Sequence, residues 1–175
     1  MHPWGATIDD PGHADRLVFD LDPGDGVPWA QVRKAAREVR ARLHEAGLES
    51  FLRLSGGKGL HVVAPLSPAA PWEQAREFCE AFARTMAVAN MRKDLRGGRI
   101  FLDWLRNARG ATSVAGWSLR ARARATVAMP LRWEELSKVA APGAFTLDRA
   151  QRRAARLRRD PWAGIETLRQ ELPKA

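Results

Sequence analysis

The apolar positions change period along the chain. Leu17, Val18 and Phe19 read as a buried strand that continues through Asp20-Leu21-Asp22 and is stopped by Pro23-Gly24. Alternate side chains of a strand share a face. Leu17, Phe19 and Leu21 therefore lie on one side, and Asp20 and Asp22 on the other. From Val27 to Gly47 the period becomes helical. Val32, Ala35, Val39, Leu43 and Ala46 form the stripe, and Gly47 fits the stop. Glu49 to Leu54 is a short strand, Ser55-Gly56-Gly57-Lys58-Gly59 a tight loop, and Leu60 to Ala64 a return strand ended by Pro65. Pro71 to Asn90 reads as a second helix, striped by Trp72, Ala75, Cys79, Phe82, Met86 and Ala89.

The second half is more irregular. Asp94 to Gly98 is a basic turn. Arg99 to Leu105 is a strand with Ile100, Leu102 and Trp104 opposite Arg99, Phe101 and Asp103. Asn107 to Thr112 is a loop. Val114 to Ala121 and Thr126 to Met129 are expected to form a bent antiparallel pair, and Trp133 to Val139 a short helix. Thr146 to Arg159 reads as a basic helix with Leu147, Ala150, Ala154 and Leu157 inward, and the tail from Trp162 as a last helical piece. Strands that alternate with helices and end in a meander predict an α/β or α+β layer: a mixed sheet with flanking helices. The expected division is a lead-in over 1–15, a core over 16–140 and a basic helical segment over 141–175.

Composition adds a partner class. The 175 residues suit one domain. The net charge is +9, and 24 of the 29 basic residues are Arg. A high-GC genome accounts for Arg over Lys but not for the excess of positive charge, which fits a polyanionic partner. Cys79 is the only cysteine, so no intrachain disulfide can form, and a cytoplasmic setting is expected. No apolar run is long enough for a membrane helix, and no signal-peptide pattern opens the chain.

Two carboxylates on one rigid strand face repel each other unless a cation sits between them. A pair of divalent ions about 3.5–4 Å apart is the usual catalytic occupant of such a site. The plain alternative is a strand-end turn, where Asp is common. Asp103, on the polar face of another strand, would complete a three-carboxylate site for Mg²⁺ or Mn²⁺. The Ser55–Gly59 loop can form an anion nest, to which Lys58 adds a charge and Ser55 a hydroxyl. His61 follows two residues into the next strand. The loop is not a P-loop, because no Gly-Lys-Ser/Thr opens a helix. Hairpin turns and structural histidines look the same in isolation. Together with Asp20 and Asp22, the loop suggests a nucleoside triphosphate. Arg120 and Arg122 alternate with Ala121 and are placed on one strand face over a polyphosphate or primer strand; Arg96, Arg99, Arg106 and Arg109 add charge nearby.

At these residues the chain resembles the polymerase domain of bacterial ATP-dependent ligase D, in the archaeo-eukaryotic primase superfamily. The matching stretches are HPWGATIDDP, DRLVFDLDPGDGV, LESFLRLSGGKGLHVVAPL, GRIFLDWLRNARGATSVAGWSLRARA and VAMPLRWEEL, with FTLDRA and DPWAGI later. They occur in the family's order and cover nearly the whole chain. The resemblance implies an RNA-recognition-like catalytic half. It implies divalent metals (Mn²⁺ or Mg²⁺) on Asp20, Asp22 and Asp103. It places the incoming triphosphate at Ser55, Gly56, Gly57, Lys58 and His61, with His2, Arg96 and Arg120 beside it. The implied reaction adds nucleotides to a primer 3′-hydroxyl on a DNA primer-template during non-homologous end joining. A ligase and a Ku-type end-binding protein are the implied partners. The family's part before HPW does not appear here, so an N-terminally truncated domain is expected: a fragment, a split protein that needs a separate N-terminal half, or a decaying remnant. Gly116 and Trp117 also stand where the family commonly has Pro and Tyr.

Two other classes stay open. One is a non-catalytic nucleotide- or DNA-binding module. The other is a haloacid-dehalogenase-type phosphatase with Asp20 as nucleophile, but that family continues with Gly-Thr where this chain has Pro23-Gly24.

Overall fold

A computed structural model describes residues 1–86 and 99–173. The regular elements run β1 (His13–Pro23), α1 (Trp29–Glu45), β2 (Phe51–Leu54), β3 (Leu60–Pro71), α2 (Trp72–Thr85), β4 (Ile100–Asp103), β5 (Met129–Leu131) and α3 (Leu147–Arg156). Short 3-10 turns lie at Leu105–Asn107 and Trp133–Lys138.

The sheet order is β4-β1-β3-β2-β5. Without β5 this is the split βαββαβ arrangement shared by ferredoxin-like and RNA-recognition folds. The α+β reading therefore stands. The expected mixed sheet does not: all four pairings are antiparallel.

One face of the sheet is the core. Leu17, Phe19, Leu21, Leu52, Leu54, Leu60, Val62, Leu102 and Met129 are completely buried there. The stripe of α1 (Val32, Ala35, Ala36, Val39, Leu43) belongs to the same cluster, as do Trp72, Ala75, Cys79 and Ala83 of α2. Phe19 meets Phe82 with ring centroids 4.8 Å apart. Each large side chain buried in this layer contributes about 2 kcal/mol. Helix α1 ends in a Schellman closure: Leu48 N–H donates to Leu43 C=O and Gly47 N–H to His44 C=O, with Gly47 at φ +81°.

Several expectations are corrected. Pro65 does not end β3, which runs on to Pro71 opposite the start of β1. Strand β2 has already ended there, so the missing N–H of Pro65 interrupts no ladder to it, and the β1 register shifts between Ala14 and Arg16. Helix α2 stops at Thr85, because Met86 is extended; the expected Asp94–Gly98 turn lies outside the described residues. Val114–Ala121 is not a regular strand. Trp117 (φ 65°) and Ala125 (φ 44°) break the ladder, leaving a Leu119–Val127 bridge and a few main-chain bonds. On α3 only Ala150 is buried, while Leu147 and Ala154 are exposed. The tail after Trp162 is a series of turns rather than a helix. Gln170 pins it to the sheet by donating to Pro65 C=O and Glu49 C=O and accepting from Glu49 N–H.

One topological fact positions everything that follows. Strands β4 and β5 are the two outer strands of the sheet. The chain between them, residues 104–128, must therefore cross the sheet, and it does so over the face opposite the helices. Asn107 anchors the start of that crossing. Its side-chain amide accepts from Val18 N–H (2.7 Å) and donates to Val18 C=O (2.9 Å), so it imitates one more residue of strand pairing past the end of β4. The neighbouring Arg106 is thereby held over the sheet.

Candidate active site

The polar face of the sheet carries a row of side chains across four strands. Register sets Asp103 opposite Asp20, Asp20 opposite His61, and His61 opposite Arg53. Asp22 is two residues along β1 on the same face, opposite Phe101. Above the row lies a cleft of about 280 Å³, whose walls include His2, Asp20, Asp22, Ser55, Gly57, Lys58, His61, Arg106, Arg120 and Arg122.

Asp20 and Asp103 are mostly covered, with 16% and 17% of their side chains exposed. The guanidinium of Arg106 lies between them, Nε 3.6 Å from Asp20 Oδ2 and 3.2 Å from Asp103 Oδ2. Asp103 Oδ1 also accepts from Leu105 N–H at 3.0 Å, so that carboxylate caps the turn as well. Burial pushes the Asp20 carboxyl up, but His61, Arg106 and Arg53 outweigh it and hold it below the usual carboxylate range. Asp20 is therefore ionised at neutral pH. Hard oxygen donors on neighbouring strands fit a divalent cation, and the guanidinium between two of them marks where positive charge is wanted. Among the described residues no group of three His, Cys, Asp or Glu is gathered closely enough to hold an ion as it stands.

His61 is buried. Its Nε2 is 3.5 Å from Asp20 Oδ1, and its Nδ1 is 2.8 Å from Arg53 Nη2. Burial drives the imidazole below its ordinary value, against the pull of Asp20. Arg53 is only 5% exposed. Burial first, then Arg16, lower its guanidinium to about 10 against the opposing effect of Asp20, so it keeps its proton at neutral pH. It lies over the ring of Trp162, 5.5 Å from the centroid. Trp162 is itself fixed by a bond from its indole N–H to Leu52 C=O and by contact with Phe51.

The glycine loop is tighter than an open nest. Ser55 Oγ donates to Gly59 C=O and accepts from Gly57 N–H, while Ser55 N–H donates to Gly59 C=O. The hydroxyl and two of the amides are thus spent inside the loop. Gly59 admits no side chain, because a Cβ there would stand 1.9 Å from Leu21 C=O. Gly56, at φ +68°, is wedged behind the cleft against Arg120 and Ala128, and its carbonyl accepts from Thr126 Oγ1. Lys58 reaches Asp25 at 2.8 Å, in a pair exposed to solvent. Arg120 donates to His2 Nε2 at 3.1 Å, which brings the lead-in to the cleft. Burial and the Arg120 charge both lower the His2 imidazole.

Most of the expected site residues therefore meet. Asp20, Asp22, Ser55, Gly57, Lys58, His61, Arg120 and His2 share the cleft. Asp103 joins them through Arg106, and Gly56 supports the loop from behind. Arg96 lies outside the described residues. Arg120 and Arg122 reach the cleft from an irregular loop, not from one strand face. Arg53 was not foreseen, though a signal existed. If Leu54 and Leu60 close the five-residue loop, the next pair out is Arg53 with His61.

Comparison with known proteins decides the family. A family model described as "LigD, primase-polymerase domain" matches residues 1–162. The chain belongs to the LigD primase-polymerase domain family. It is 36% identical over 185 residues to the multifunctional non-homologous end joining protein LigD of Pseudomonas aeruginosa, covering all of this chain and 22% of that protein. It is 42% identical over 133 residues to the LigD end joining DNA repair protein of Mycobacterium tuberculosis, covering 72% of this chain and 18% of that one. The chain thus spans about a fifth of the length of these relatives. Among solved structures, the polymerase domain of M. tuberculosis ligase D in complex with DNA superposes with a TM-score of 0.80 at 36% identity, covering 91% of this chain and 57% of that one.

Proposed function

We propose that this chain is a metal-dependent nucleotidyltransferase of the primase-polymerase type, adding nucleotides to a primer 3′-hydroxyl during non-homologous end joining. The observation that carries the reading is one cleft with two halves. Asp20 and Asp22 stand on one strand face with Asp103 in register beside them. A glycine loop with Lys58, flanked by Arg120 and Arg122, stands opposite. The family, the end-joining names of the relatives and the DNA bound to the structural neighbour support the same reading.

Asp20, Asp22 and Asp103 would hold Mn²⁺ or Mg²⁺ once Arg106 withdraws from between two of them. The bound ion would supply activation of the primer hydroxyl and neutralisation of charge at the reacting phosphate. Lys58, Arg120 and Arg122 attract the triphosphate and stabilise the charge that builds on pyrophosphate as it leaves. The His61 imidazole lies between the loop and the carboxylates and offers them a hydrogen bond. The attack is in line, and no side chain serves as nucleophile. A ligase or a Ku-type end-binding protein is the kind of partner this reading implies. Among the described residues no helix is long and apolar enough to cross a membrane.

The second reading is a nucleotide- or DNA-binding module without catalysis. The guanidinium that stands between Asp20 and Asp103 favours it. Extension of a labelled primer-template with Mn²⁺ and ribonucleotides, beside Asp20→Ala, separates the two. The catalytic reading expects extension that falls by at least about 100-fold in Asp20→Ala with DNA binding retained. Binding without extension by the unmodified chain would select the module.

A further inference from the structure

A neutral imidazole carries one proton, and which nitrogen holds it decides whether the other is a donor or an acceptor. In this chain a neighbour makes that choice. The Arg53 guanidinium has no lone pair to offer, so at 2.8 Å from His61 Nδ1 it can only donate. His61 Nδ1 must then be bare, and the ring proton must sit on Nε2. That nitrogen faces Asp20 Oδ1 and the cleft. We propose that Arg53 is a positioning residue that locks His61 in the Nε2–H tautomer, so that the imidazole presents a fixed donor to the anions of the cleft.

The surroundings suit this role. Both side chains are almost fully covered, so water cannot take the place of Arg53 at Nδ1. The guanidinium carbon lies 5.5 Å from the centre of the Trp162 ring, and Trp162 is anchored in turn to Leu52 and Phe51. The groups facing the imidazole are Asp20 and Arg106 on the cleft side and Arg53 behind. With the opposite tautomer, His61 would turn a lone pair toward Asp20 and toward any phosphate in the cleft, and both contacts would be repulsive. With Nε2 protonated, His61 cannot ligate a metal through that nitrogen. Metal binding is then left to carboxylates, and His61 serves the anionic side of the chemistry. The tautomer lock stands on the apo geometry alone; only the identity of the anion as a triphosphate rests on the polymerase reading.

The test uses the full chain, isotopically labelled, with ring ¹⁵N shifts of the four histidines assigned through His61→Gln. The expected result is a His61 ring with a bare Nδ1 and a proton on Nε2. Arg53→Met should mix the tautomers and weaken ATP-Mg²⁺ binding about tenfold, the scale of one charge-assisted hydrogen bond. Arg53→Lys, which keeps a cationic donor, should recover part of both. A native His61 protonated on Nδ1 overturns the proposal, and this needs no variant to fold. So does a folded Arg53→Met with unchanged ring shifts, or one with mixed tautomers and unchanged ATP affinity. None of these readings depends on primer extension, so a chain that fails to polymerise leaves the proposal decidable.

Discussion

The two faces of the sheet are made by the same strands in alternation, yet they obey different rules. Toward the helices, Leu17, Phe19, Leu21, Leu52, Leu60 and Leu102 are buried by simple exclusion from water. Any apolar side chain of similar volume would serve. On the other face, Asp103, Asp20, His61 and Arg53 are covered as well, but each needs a particular neighbour. A buried polar row is stable only while its members satisfy one another. The first face makes the chain fold, and the second constrains it to one arrangement of charge.

Substitutions on either face should separate these rules. Leu21→Ala removes a fully buried side chain and should cost about 2–5 kcal/mol. Denaturant unfolding would read that loss, with DNA affinity at saturating folded protein unchanged. If DNA affinity falls as far as stability, the faces are not independent. Asn107→Ala acts on the polar side. It strips Val18 N–H and C=O of their buried partner and should cost about 2–4 kcal/mol, although it removes almost no apolar surface. A stability unchanged within half a kilocalorie would mean that the amide is dispensable and the contrast overstated. The smallest effect is expected for Arg106→Gln. Taking the guanidinium from between Asp20 and Asp103 should tighten Mn²⁺ binding about three- to tenfold, read by titration with the metal alone. Weaker binding would show that Arg106 holds the carboxylates in place rather than competing with the metal.

The same division explains what could be read from the chain beforehand. Leu17, Phe19 and Leu21, and the stripe of α1, follow from period alone, because burial against a helix layer imposes it. Asp20 and Asp22 stood out as two carboxylates on one strand face, and the Ser55–Gly59 loop as three glycines around a lysine between two strands. Arg53 did not stand out. In Phe51-Leu52-Arg53-Leu54 it looks like an ordinary outward residue of a strand, and only the register with His61 and the arrival of Trp162 from the tail bury it. Pro65 misled because proline usually ends a ladder, and nothing local shows that β2 has already stopped beside it. The stretch 114–121 misled because its alternation is real, while nothing local marks Trp117, or Ala125 just beyond it, for the positive φ that breaks the ladder. Local sequence carries period, but not which distant segment will arrive to cover a polar group.

Gly59 has a mechanical consequence. Its Cα is pressed so closely on the Leu21 carbonyl that the loop and the aspartate strand meet main chain to main chain. Side chains can rotate, and a span set by them can stretch or shrink. A span set by two backbones in contact cannot. The distance from the loop to Asp20 and Asp22 is therefore a gauge block rather than a caliper, and whatever bridges the two must come in the right length.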